Sequence, residues 1–462
     1  MRGRGEELLS LAKEALREAG EPEAEVVLRS TRRGFARFAI GELGQHMEIE
    51  DPLALVRVAR GARVAQATTN ILDAQALVRA IRGAKEAAER APETAQFPGF
   101  ASRDEATFAS PPRFAESTSA MDADARADQV AAVLETVSAA GLLSAGVLET
   151  RTTALAVATT RGREVSHDST TALFKVWALE TGGAGGSSGH GSALHRDVTA
   201  LPIAAETDRA IRICRLGKEP VSLDAGTYDV VLEPAAVSEL VEWLASIAFT
   251  ATSVEQGTSA LRGRIGERVT GEAITIVESP LEDGALGLAA PFDREGVWRR
   301  TVPLLEKGVA RGVLYDRSAA ARMGGSSTGS ALLIEGEGEG SIGASALFMD
   351  PGEAANVEEL VAGVKRGLYV CRLHYVNGLL EPRRAVMTGL TRDGCFLIED
   401  GKLSRPVGNL RFTDSFLEAL GRCDGMTRER KAVATAWSDA GAHVVPAIRV
   451  RALRWNGAST QR

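Results

Sequence analysis

Cysteine is scarce. Only Cys214, Cys371, Cys395 and Cys423 occur in 462 residues, far apart and with no CxxC pair. Neither a zinc ribbon nor a dithiol redox motif is written here, and so few thiols do not make a disulfide framework. Histidine is nearly as rare: His46, His167, His190, His195, His374 and His443. None pairs at the i, i+4 spacing that turns two imidazoles toward one zinc on a helix. There is no excess of positive charge, since 54 Lys and Arg stand against 61 Asp and Glu, a formal net charge of −7. That argues against nucleic acid or an anionic membrane as partner, because both are bound largely through clustered Lys and Arg. No apolar run approaches the roughly 20 residues of a bilayer span. Met1–Gly20 is charged and amphipathic, without the apolar core of a secretion signal. The expectation is a cytoplasmic protein.

What is present is an ordinary globular balance, 44% hydrophobic and 25% charged, with length for two or three domains. Leu8, Ala12, Ala15, Leu16 and Ala19 recur at helical spacing, so residues 6–19 read as a helix ending at Gly20. Short strand-like runs follow at Ala24–Leu28, Phe35–Ile40 and Leu55–Ala59, then a helix capped by Asp73 and reaching about Arg90. Residues 92–118 are punctuated by prolines and read as a linker. A helix from about Asp124 to Ala140 opens a central α+β segment, 119–222, with strands near Ala145–Thr150, Leu155–Thr159 and Ala172–Leu179 and a helix near 199–213. From 223 to 462 one helix, about 234–249, and a shorter one near 356–366 interrupt short strands and turns. The fold class is therefore α+β: an N-terminal α+β portion, 1–91 and onward, followed by a C-terminal β-rich, barrel-like domain. No fixed-period repeat is visible.

Several segments invite chemistry. The glycine-rich GGAGGSSGHG at 182–191 lacks the Gly-Lys-Ser/Thr ending of a phosphate loop and the GxGxxG of a dinucleotide fold. His190 and His195 lie in or beside it, and a metal there would need a third ligand such as Asp197. The plainer reading is a flexible loop whose polar residues face water. No GxSxG elbow occurs. The acidic run Glu335–Gly340 lacks the DxDxDG pattern of a calcium loop and reads as a solvated turn. Arg372 and His374 alternate with apolar residues, and at period 2 they share one strand face. With Tyr375 and Arg392 they are candidates to hold a peptide's carboxylate or backbone; a half-exposed strand with a polar side is the alternative.

Blocks in a fixed order then resemble one family. They are Arg37-Phe38-Ala39, Val64–Asn70 with Leu72-Asp73, Gly263-Arg264-Ile265-Gly266, Phe292–Gly296, Leu304–Gly308, Ser327-Thr328-Gly329, Tyr369-Val370, and Met387–Gly394 leading into Phe396–Lys402. Together they are similar to the TldD/PmbA metallopeptidases. The resemblance implies an N-terminal α+β portion, a C-terminal β-rich portion and assembly as dimers. Catalytic TldD-type members carry HExxxH on a helix shortly before the Gly-Arg-Ile-Gly block. Here that helix reads Val237–Ile247 and has no His or Cys. Glu239 and Glu242 remain, and read as the solvated face of an amphipathic helix. The resemblance is thus to the TldE/PmbA branch, and it implies no metal or catalytic residue in this chain. It implies instead zinc in a TldD-like HExxxH partner, and unfolded proteins or precursor peptides as substrates. The rival expectations are a stand-alone homodimeric peptide-binding or regulatory protein, and an enzyme with a different site around His190, His195 or His374.

Overall fold

The computed structural model describes residues 3–94, 96–108, 112–181, 186–282, 288–333, 341–434 and 441–458. The run Glu335–Gly340 and residues 182–185 of the glycine-rich stretch lie outside the described residues. No described helix is long and apolar enough to cross a membrane.

The first half folds around one antiparallel sheet. In chain order it contains α1 (Arg4–Ala19), β1 (Ala24–Ala39), β2 (Glu42–Arg60), β3 (Arg63–Thr69), α2 (Ala74–Ala88), α3 (Glu116–Ser119), α4 (Ala123–Ala139), β4 (Leu143–Thr159), β5 (Glu164–Leu179), β6 (Ser188–His195) and α5 (Ile203–Leu216). Leu8, Ala12, Ala15 and Leu16 of α1 are buried, and Gly20 ends the helix at φ 65°. Asp73 and Asp122 cap α2 and α4 by accepting the N–H groups of Ala76 and Ala125. The sheet order is β3-β2-β1-β4-β5-β6. β4, from the expected central segment, pairs with β1 from Glu25 to Phe38.

Two strand expectations are corrected. Ala24–Leu28 and Phe35–Ile40 are not separate strands: β1 runs through both, as β4 runs through Ala145–Thr150 and Leu155–Thr159. The polar middle, Arg29–Gly34, looked like a break, but a sheet with one solvated side carries such residues inside a strand. β1 also stops at Ala39, because Ile40 and Gly41 form the hairpin turn with φ 54° and 78°, two left-handed positions as a type I′ turn requires.

The second half begins with β7 (Gly226–Leu232) and α6 (Pro234–Ala248), where Pro234 opens the helix at a position that lacks an N–H partner anyway. Then come β8 (Ile276–Glu278), β9 (Val302–Glu306), β10 (Val309–Ala310), β11 (Leu347–Met349), β12 (Arg366–Glu381), β13 (Val386–Glu399), β14 (Lys402–Pro406), β15 (Leu410–Ser415), β16 (Cys423–Ala434) and β17 (Ala442–Ala458). The path β17-β15-β13-β12-β7 closes on itself, since β7 also pairs with β17. The barrel-like expectation is therefore met by a ring of five strands. Val230, Leu232, Leu373, Val376, Met387, Phe412, Val450 and Trp455 form one core with Leu240, Val241 and Leu244 of α6. With α5 inside the first half's apolar layer and α6 inside the second's, each half buries its own core.

The two halves meet on the face of the first sheet opposite its helices. At one end Val27, Leu55 and Val157 pack with Phe292. Beside them the buried Arg57 guanidinium holds Glu25 at 2.7 Å and Glu295 at 3.3 Å. At the other end Trp177 Nε1 donates to Asp393 Oδ2 at 3.0 Å.

Candidate functional site

Helix α6 is where the sequence directs attention. Zinc needs imidazole, thiolate or carboxylate donors converging on one point. The helix offers no imidazole and no thiolate. Its Trp243 and Ile247 lie against Gly378 of β12, where an added Cβ would come within 3.0 and 3.1 Å of them. Glu239 is not the solvated residue expected. It is largely buried and accepts the N–H of Val376 at 3.4 Å, and burial raises its carboxyl above the usual 4.5, with the Val376 bond and Arg372 pulling the other way. The reason lies in β12, which runs along α6 and so covers a helix side that sequence periodicity leaves to solvent. The residues of α6 by themselves do not fit the metal. Among the described residues, no three His, Cys, Asp or Glu side chains are grouped to hold an ion.

Beside α6, β12 and β13 carry the four candidate peptide-binding residues. Arg372 stands directly across from Arg392, and His374 across from Leu390, so Arg372, His374 and Arg392 share a neighbourhood on this hairpin. The register shifts between His374 and Asn377, where Tyr375 takes φ 51°. That bulge sets the Tyr375 ring against His374, centroids 4.3 Å apart and planes tilted by 52°, and leaves Tyr375 66% exposed. Burial, Arg372 and Arg392 together lower the His374 pKa below its ordinary value, which favours the neutral ring, with Asp393 pulling the other way. Arg392 is exposed. Arg372 is already engaged: its guanidinium donates to Asp393 Oδ2 from Nε at 3.0 Å and lies 5.8 Å from the Trp177 ring centroid.

Asp393 is the residue that sequence reasoning passed over. Its two oxygens take Trp177 Nε1, the Ser188 hydroxyl at 2.7 Å and Arg372, and it sits at φ 52° before Gly394. Burial pushes its carboxyl up, yet Arg372 and Ser188 hold it below the usual value. Nearby, Glu233 at the start of α6 accepts from Arg209 and from the Tyr369 hydroxyl, and Glu206 of α5 pairs with Lys431 at 2.5 Å. Glu206, Arg209, Glu233, Arg372, Asp393 and Lys431 line a small polar cavity with His190 and Cys371 between the two halves. Each cation in it faces a carboxylate. In the sequence Asp393 stood only within the Met387–Gly394 block, where its pairing with Gly394 suits the left-handed backbone it adopts inside β13.

The glycine-rich stretch is corrected too. From Ser188 it is strand β6, not a flexible loop. A Cβ on Gly189 would lie 2.0 Å from the Ala210 carbonyl, and one on Gly191 2.1 Å from that of Glu206. Glycine is there so that α5 can approach the sheet. His190 points the other way, is buried, and packs on Trp177 at 4.7 Å. Burial and Arg372 hold its pKa near 3. His195 Nδ1 accepts the Asp197 N–H at 2.9 Å, while Asp197 caps the next turn and accepts from Ser117. The two histidines and Asp197 therefore do not converge.

With this geometry in view, the chain can be set beside known proteins. The model of the PmbA/TldA metallopeptidase C-terminal domain matches residues 225–457, half of the chain. The chain belongs to the PmbA/TldD family. A metalloprotease of Methanothermobacter thermautotrophicus is 26% identical over 219 residues, 47% of this chain and 46% of its own length. A metalloprotease TldD homologue of Haemophilus influenzae is 26% identical over 224 residues, 48% of this chain and 45% of its own. The chain thus spans about half the length of the curated relatives it matches. Among solved structures, TldE from Thermococcus kodakarensis superposes with a TM-score of 0.88 at 18% identity, covering 97% of this chain and 100% of that one. At that identity the likeness speaks for the fold. The PmbA/TldD architecture accordingly extends over both halves, including the part outside the matched C-terminal domain.

Proposed function

We propose that this chain is a non-catalytic, metal-free TldE/PmbA-like subunit of a two-protein metallopeptidase acting on unfolded proteins or precursor peptides in the cytoplasm. One observation carries the reading. Helix α6, which the family resemblance sets where catalytic members carry HExxxH, has no His or Cys, and no His lies between His195 and His374. A TldD-like HExxxH relative would supply zinc, together with the glutamate that activates water. This chain would wall the chamber and position the peptide. Tyr375, His374 and Arg392 are the side chains that stand free of Asp393 for that task, with Arg372 fixing the surface behind them. An extended peptide docks readily on such a strand-rich surface through its backbone.

Elemental analysis of the protein, purified without a metal-binding tag, tests the reading. It predicts zinc far below one per chain. Stoichiometric, tightly held zinc would overturn it.

A further inference from the structure

Phe412 of β15 and Leu453 and Trp455 of β17 belong to the barrel core, so Arg411, Thr413, Arg454 and Asn456 beside them point outward. On β13, Thr391 is fully buried opposite the core residue Leu373, so Leu390 and Arg392 point outward too. Leu390 stands opposite Arg411. Phe412 pairs with Trp455, which sets Thr413 beside Arg454. Arg392, Arg411 and Arg454 therefore fall on one diagonal across β13, β15 and β17. Each step crosses one strand and two residues, about 7–8 Å. Arg392 and Arg454 are exposed and Arg411 is half-buried, donating to Thr388 Oγ1 at 3.4 Å. Other arginines of the barrel are neutralised: Arg372 by Asp393, Arg422 by Asp414, and Arg451 by Asp229 and Asp424. None of the three on the diagonal has a carboxylate within 4 Å among the described residues. A chain of formal net charge −7 thus keeps three guanidinium groups in a row without a counter-charge. Such a row repels itself until an anion meets it.

We propose that this diagonal binds an extended acidic segment of a peptide substrate, with carboxylates at alternate positions. In an extended chain, side chains i and i+2 point the same way about 6.7 Å apart, close to the arginine spacing. Three acidic side chains can therefore meet Arg392, Arg411 and Arg454 in turn. A guanidinium holds carboxylate or phosphate through paired N–H donors. A single-stranded nucleic acid would also stack its bases on aromatic rings along its path. The outward positions between the arginines are Thr388, Leu390, Thr413 and Asn456, none of them aromatic, which favours the peptide. The inference deepens the peptide-holding role proposed above for Arg392 and rests on it.

Fluorescence anisotropy of the full chain with labelled serine-rich peptides tests it. One peptide carries three glutamates at alternate positions, one carries them consecutively, and one has glutamine in their place. The alternating peptide should bind most tightly, and added salt should weaken it. Arg411→Gln and Arg454→Gln should each cost it roughly two- to fivefold in affinity, the range for exposed ion pairs. The double variant should cost roughly tenfold, with unchanged circular dichroism and melting. Arg17→Gln, exposed on α1, should leave binding unchanged. The proposal is overturned if the double variant keeps its affinity, or if an oligothymidylate of similar length binds more tightly than the alternating peptide. Equal binding of the glutamine or consecutive peptide also overturns it, while leaving the peptide-holding role in place. Binding of none of the three peptides removes both.

Discussion

Arg372 is committed before any ligand arrives. Its partner Asp393 is 3% exposed at the side chain, so truncating the arginine strands a buried carboxylate. Arg372→Ala should cost on the order of 3 kcal/mol, the size expected when one member of a buried pair is removed. The pH dependence follows from the depressed Asp393 carboxyl. Such a group adds stability above its ordinary value of 3.8 and loses it as the pH falls through the folded value. The melting-temperature gap between wild type and Arg372→Ala should accordingly be widest near neutrality and shrink below pH 4. Glu239 has the opposite sign. Its carboxyl is raised by burial, so its ionised form is disfavoured in the folded chain and stability falls as the pH rises through the folded value. Glu239→Gln, which keeps an acceptor for the Val376 N–H, should melt at the same temperature or higher at pH 7–8, and the gain should vanish near pH 4. A marked loss of stability at neutral pH would show that the charge itself is needed. Arg372 and Glu239 were both visible in the sequence, but their burial was not: each is covered by a residue more than 20 positions away.

At the scale of elements, what is encoded locally was legible and what is encoded across the chain was not. α1, α2 and α4 carry their own periodicity and caps, Gly20, Asp73 and Asp122, and these ends fall within a residue or two of the sequence reading. β6 failed because glycine near glycine reads as a loop, whereas the cause is α5, whose carbonyls lie where side chains would otherwise stand. Two glycines test that contrast. Gly191→Ala should lose about 1–3 kcal/mol, the usual cost of overpacking, because the obstruction is backbone and cannot swing aside. Gly83, exposed inside α2, has nothing within 4 Å of an added Cβ, so Gly83→Ala should gain about 0.5–1 kcal/mol. Calorimetry of the two variants reads both signs. The long strands β1 and β2 were only half legible, since their polar middles conceal a ladder that pairs residue by residue from Ala24 to Arg37.

For the whole molecule, barrel closure rests on β7 serving two neighbours, β12 through Gly367–Val370 and β17 through Ile448–Trp455. Partners more than 130 positions apart leave no spacing to read, so the β-rich half was evident from its turns while its ring was not. The same distance hides Glu295, which joins Arg57 and Glu25 across the two halves. The absence of HExxxH, in contrast, is legible in any copy of the sequence, and the proposed function rests on it. Its most direct test is peptide hydrolysis. Unstructured casein or a precursor peptide is incubated with this chain alone, with an HExxxH relative from the same organism alone, and with the two mixed. Cleavage is expected only in the mixture, where zinc in the proposed partner would activate water while this chain holds the peptide in register. Replacing the relative's HExxxH glutamate should abolish that cleavage, and Glu239→Gln here should leave most of it. Hydrolysis by this chain alone, surviving repurification, would show that it carries a catalytic site of its own.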